Sequence, residues 1–144
     1  MSRQQVPVKR LILAIVAGIV AWIIGVSLLD RGLRLTLPGY AAAEPEMTFT
    51  LPMMAARLTI GALASLIAGA ISGWLDRPRG RAAWIVGAIL LAAFIPQHVA
   101  LWRVFPVWYH LTFLVSLVPL TVLGSLLVWA TGGSAGEQGR PAPP

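Results

Sequence analysis

Residues 51–75 read LPMMAARLTIGALASLIAGAISGWL, and Arg57 is the only charge among them. A helix needs roughly 20 apolar residues to cross about 30 Å of hydrocarbon, so this run is long enough. It lacks the two-residue alternation of a membrane β-strand. In lipid every backbone polar group must be paired inside the element, which makes the run a helix. Small residues recur in it every four positions, at Gly61, Ser65, Gly69 and Gly73, with Ala64, Ala68 and Ser72 beside them. That spacing lets a second helix approach backbone to backbone.

Three further runs lie outward from it, at about 11–29, 82–102 and 108–130. The first carries no charge and offers a matching small face at Ala17, Ala21 and Gly25, with Ala14 and Gly18. The expected fold class is therefore an all-α membrane protein of four transmembrane helices in a compact bundle. Residues 1–131 form one domain, and the Gly/Pro-rich tail 132–144 is expected to be disordered. The first run exceeds the 7–15-residue apolar core of a signal peptide. Gly25-Val26-Ser27 only loosely resembles a cleavage site, so an uncleaved anchor is expected.

Composition agrees. Of 144 residues, 58% are hydrophobic and 11% charged, where a soluble domain carries about a quarter charged. The chain has no cysteine, which excludes disulfides, thiolate metal sites and thiol catalysis. Arg3, Lys9 and Arg10 precede the first helix, and Arg77, Arg79 and Arg81 crowd the second loop. Positive charge stays inside, so both termini and this loop are expected to be cytoplasmic, although Arg31 and Arg34 fall on the other side. Trp74, Trp84 and Trp129 then mark the inner interface, and Tyr40, Trp102, Trp108 and Tyr109 the outer one. Anionic headgroups account for the net charge of +6, with no call for nucleic acid. Small size, short loops and an Arg-rich, Lys-poor balance point to a bacterial inner membrane.

The longest loop, from Asp30 to about Thr50, holds two alternating pieces, Leu33 to Leu37 and Met47 to Leu51, separated by turn residues. Two readings stand: a β-hairpin, or an extended loop dipping its leucines into the interface.

Arg57 shares a helical face with Gly61, Ala64, Ala68 and Ser72, so it points into the bundle. Its candidate partners are Asp30, Glu44 and Glu46. It is read either as an ion-paired structural arginine or as an anion or headgroup site. His98 and His110 sit at equal depth on adjacent helices. Interfacial hydrogen bonding, a proton or ligand role, and metal or haem ligation are the alternatives. Pro96 and Pro119 free the carbonyls of Ala92 and Val115, and Gln97 is placed to help satisfy the first.

These polar residues, with Arg103, belong to the outer third, while the inner two thirds carry little beyond Ser and Thr. Arg57, His98, His110, Asp30 and Gln97 thus compose a candidate outer-face site, shallow and open outward. No catalytic set, metal or cofactor follows from the sequence. The expected role is a non-catalytic subunit, assembly factor or partner-binding module, whose partners are the bilayer and another membrane protein or a second copy. The alternative is a small homo-oligomeric transporter or conduit with an anion-attracting mouth at Arg57.

Overall fold

The computed structural model describes the backbone of residues 8–77 and 80–137, with side chains as far as 131. Arg3, Arg79 and the tail beyond 137 lie outside the described residues. The order is α1 (Val8–Thr36), α2 (Tyr40–Ala43), α3 (Leu51–Leu75), α4 (Arg81–Ala100) and α5 (Val107–Glu137). Four of these are long and apolar enough to cross a membrane. The chain is a multi-pass helical membrane bundle.

α3 is the central helix and packs most extensively against α5 and α1, while α4 closes the bundle chiefly against α5. Its buried stripe is Ile60, Gly61, Ala64, Ser65, Ala68, Gly69, Ser72 and Gly73. A Cβ at Gly69 would overlap the Thr121 carbonyl of α5, and one at Gly124 of α5 would overlap the Leu66 carbonyl of α3. The two backbones therefore touch through glycines contributed by both helices. On the other flank, a Cβ at Gly18 of α1 would lie 2.9 Å from Val86 and 3.0 Å from Ser72. The α1 seam is Ala14, Gly18 and Trp22, with Ala17, Ala21 and Gly25 half-buried beside it. Apolar burial alone does not draw helices together in lipid, so such close packing is what holds them.

The polar groups of Trp22 and Ser65, both buried in this core, are paired. The Trp22 indole N–H donates to Ser65 Oγ at 3.1 Å, and Ser65 Oγ–H donates to the Gly61 carbonyl at 2.8 Å. Leucines, isoleucines and valines such as Leu28, Ile67 and Val115 face outward, as lipid contact requires.

The end of the bundle opposite α2 is tied by basic side chains on backbone carbonyls. Arg10 Nε donates to the Leu75 carbonyl at 2.6 Å and Arg77 Nη2 to that of Val128, inside α5, at 2.7 Å. Leu75 is the last residue of α3, and a helix leaves its last carbonyls unpaired where cations are favoured. Asp76, buried, accepts the Ala82 backbone N–H at 3.0 Å and so caps the start of α4.

Three expectations about the elements need correction. No strand occurs among the described residues, so no hairpin follows helix one, and within the expected loop only residues 37–39 and 44–50 are non-helical. Leu33 to Thr36 are instead the last turn of α1, which runs past the apolar stretch that ended at Leu29. Asp30 and Arg34 stand at i,i+4 and pair at 3.2 Å, which favours continued helix. Leu33 and Leu37 stand at the same interval and pack on Tyr40, Ala43 and Met53. Pro38 removes the next backbone donor, and Gly39 turns the chain at φ 77°, a conformation that suits glycine. At the other end of the sequence the α5 backbone stays helical to Glu137, beyond the expected limit at 130. Lastly, α4 ends at Ala100 rather than 102, its last carbonyls taken up by Leu101 and Trp102.

Candidate functional site

The first turns of α3 set Arg57 beneath α2. Its Nη1 donates to Tyr40 Oη at 2.7 Å and its Nε to Tyr109 Oη at 3.4 Å. Nη1 also stands 3.9 Å from Asp30 Oδ1, and the guanidinium lies 4.6 Å from the Phe49 ring centroid. A planar cation can bond edge-on to hydroxyls while its face rests on an aromatic ring. Tyr40 in turn donates to Asp30 Oδ1 at 2.7 Å. Arg34 reaches Asp30 at 3.2 Å and Glu44 at 2.9 Å. The α2 segment is thus pinned across α1 and α3 by an alternating chain of acid, phenol and guanidinium.

This arrangement revises three sequence readings. Of the three acids proposed for Arg57, Asp30 meets it, Glu44 is held by Arg34, and Glu46 is exposed. Tyr40 and Tyr109 are buried inside the bundle rather than standing in an interfacial belt. A hydroxyl with an interior cation to meet turns inward. Arg103 is exposed and stands apart.

His98 and His110 do come together: their Nδ1 atoms lie 2.8 Å apart and both rings are buried. One ring must donate and the other accept, so one neutral histidine is the Nδ1–H tautomer and its neighbour the Nε2–H tautomer. Phe113 stacks on His98 at 4.8 Å and Trp102 on His110 at 4.9 Å. His110 Nε2 is buried without a hydrogen-bond partner.

Between the arginine chain and the histidine pair lies a cavity of about 410 Å³. Asp30, Arg57, Gln97, His98 and His110 all line it, above a floor of Trp22, Ile60, Phe94 and Phe113. Its exposed lining residues are Ser27 and Arg34 on α1 and Gln97 on α4, so the mouth lies between those two helices. Below the floor the core closes over Ala64, Ala68, Val86 and Leu117.

Sequence reasoning missed Tyr40, Phe49, Phe105, Tyr109 and Phe113 as components of this region. Tyr109 and Phe113 stand at i,i+4 around His110, a spacing that already puts two rings on one face. Tyr40 and Phe49 left no comparable signal, because their contacts depend on how α2 folds back.

Tyr40 gives a readout of this geometry. Burial, reinforced by the Asp30 carboxylate, pushes its phenol up to about 12. The neutral phenol is therefore favoured in the folded state. Its stabilisation is fully present below pH 10 and is lost as pH rises toward about 12. In an alkaline titration followed at 295 nm, the Tyr40→Phe variant should lack the phenolate that appears near pH 12. If the missing phenolate instead titrates near the ordinary value of about 10, the burial of Tyr40 against Asp30 is wrong.

The fold and this region define a class: a multi-pass helical membrane protein with a polar, aromatic-lined cavity at one end. No protein-family model, curated protein or solved structure matches the chain.

Proposed function

We propose that the protein is a non-catalytic subunit, assembly factor or partner-binding module of a bacterial inner membrane. The α2 end faces outward, and both termini are cytoplasmic. One observation carries the reading. The cavity's two cations, Arg34 and Arg57, are matched by two carboxylates, Asp30 and Glu44, at 2.9–3.9 Å. A mouth neutralised by its own residues attracts no anion, and the core beneath it is apolar and packed through glycine contacts. The site resembles a receptacle more than an entrance.

The conduit reading draws less from the structure. The α3 face suited to self-association is occupied by α1 and α5. Basic side chains on the inner carbonyls and the positive-inside balance support the orientation.

The test is flux and mass together. Purified protein in liposomes should pass chloride no faster than protein-free vesicles. Native mass spectrometry of gently extracted protein should show a monomer or a second polypeptide. Protein-dependent flux, abolished by Arg57→Ala in an intact homo-oligomer, would overturn the reading.

A further inference from the structure

We infer that the cavity binds an uncharged, planar ring compound bearing conjugated oxygens on a lipid tail, a quinone or its quinol. The inference rests on the binding reading above and names the ligand class.

Four observations converge on that class. The mouth lies between α1 and α4, two helices whose outer faces are lipid-facing, so a ligand enters from the bilayer. The volume of about 410 Å³ lies in the range of small-molecule pockets, about 300–1,000 Å³. It suits a single ring with its substituents, the tail remaining in lipid. The walls are aromatic: Trp22 and Phe94 meet at 5.0 Å, Phe94 and Phe113 at 5.2 Å, and Phe105 and Tyr109 at 5.0 Å. Planar rings stack on such walls, whereas a saturated headgroup gains less from them.

Charge excludes the ionic alternatives. Arg34 and Arg57 are neutralised by Asp30 and Glu44 and are held to them and to the two tyrosines, so a carboxylate or phosphate headgroup finds no free cation. What stays unmatched is neutral: His98 lines the cavity and is the less buried of the pair, 8% exposed against 0% for His110, whose own Nε2 is sealed off. The His98–His110 bond makes the His98 Nε2 adaptable. When His98 donates through Nδ1–H, its Nε2 is bare and accepts a hydroxyl proton. When His110 donates instead, His98 carries Nε2–H and donates to a carbonyl. Both states are neutral, and together they match the quinol and quinone forms of one ring.

The experiment titrates decylubiquinone into the full-length protein in nanodiscs and follows tryptophan quenching, since Trp22 lines the cavity. Empty and wild-type nanodiscs together separate saturable binding from partitioning. Wild type should saturate at one quinone per chain. His98→Leu should weaken binding roughly tenfold, the effect of one unmade buried hydrogen bond.

A second variant guards against misfolding. Ser27 is exposed at the mouth, and its hydroxyl bonds only within its own turn, to the Ile23 carbonyl at 2.7 Å. Ser27→Phe should therefore block entry while gel filtration stays unchanged. Lipid-facing Ile71→Val should bind as wild type.

Decanoic acid and decanol serve as competitors. Neither should displace the quinone. Displacement by decanoate would mean an anionic headgroup site, and displacement by decanol a mere apolar crevice. Either result overturns the inference, as does the absence of saturable quenching. Chloride flux in a protein that still binds quinone would instead overturn the preceding section and leave this assignment standing.

Discussion

Replacing Gly69 with leucine is expected to abolish the native bundle. At this position the α3 and α5 backbones are so close that a single added carbon overlaps the Thr121 carbonyl. A flexible side chain can swing aside, but a helix backbone yields only by moving the whole helix. Overpacking usually costs about 1–3 kcal/mol, and an obstacle made of backbone puts the cost at or above roughly 3 kcal/mol by the same reasoning. Gly73 and Gly124 lie on the same seam and meet Ser125 and Leu66, so separation at one point opens the others. Denaturant titration of the detergent-solubilised protein, followed by near-ultraviolet circular dichroism, measures the loss. Lipid-facing Ile67→Val should stay within about 0.5 kcal/mol of wild type. A stable, native-like Gly69→Leu protein would mean that α3 and α5 do not pack as described.

The second large effect is expected at Arg57. Truncating it to alanine removes the donor that Tyr40 and Tyr109 share and leaves Asp30 with less positive charge nearby. Breaking a fully buried ion pair costs about 3–5 kcal/mol. Here the arginine side chain is 32% exposed, so about 2 kcal/mol is the better expectation. The loss should be local. Chymotrypsin should cut at Tyr40 or Phe49 at least about tenfold faster in Arg57→Ala, as an opening free energy lowered by that amount implies. Lysine should restore little, because a point charge cannot bond Tyr40 and Tyr109 at once while lying flat on Phe49. Equal cleavage in wild type and variant would show that α2 is held without Arg57.

These two residues illustrate what the sequence disclosed. Both were conspicuous as one-dimensional patterns: Gly69 in a four-residue repeat, and Arg57 as a lone charge in an apolar run. The four long helices were legible for the same reason, since lipid imposes both length and composition. The neighbours of each residue were not legible. A repeat of small residues says that something packs closely there but not that α5 supplies Thr121. A charge in a helix says that a partner exists, yet Tyr40 reaches it only because Pro38 and Gly39 fold α2 back over α3. The end of α1 was misjudged because hydropathy stops reporting where the helix leaves the apolar layer. Hydrogen bonding and the Asp30–Arg34 pair carry the helix on. His98 and His110 were placed at one depth by counting turns. Their contact, and the stacking of Trp102 and Phe113 on them, required knowing how α4 and α5 rotate toward each other.

The unequal lengths of the helices carry a mechanical consequence. At about 1.5 Å per residue, the 29 residues of α1 extend about 43 Å and the 20 of α4 only about 30 Å. α1 has length to spare and can lean or protrude. α4 only just matches the hydrocarbon slab and has no such slack. In a thicker bilayer, lipid beside α4 must compress to meet it. The same helix forms one post of the cavity mouth, so acyl chains would thin and the water boundary would dip there. Membrane thickness thus becomes a variable that sets how deep in the bilayer the doorway lies.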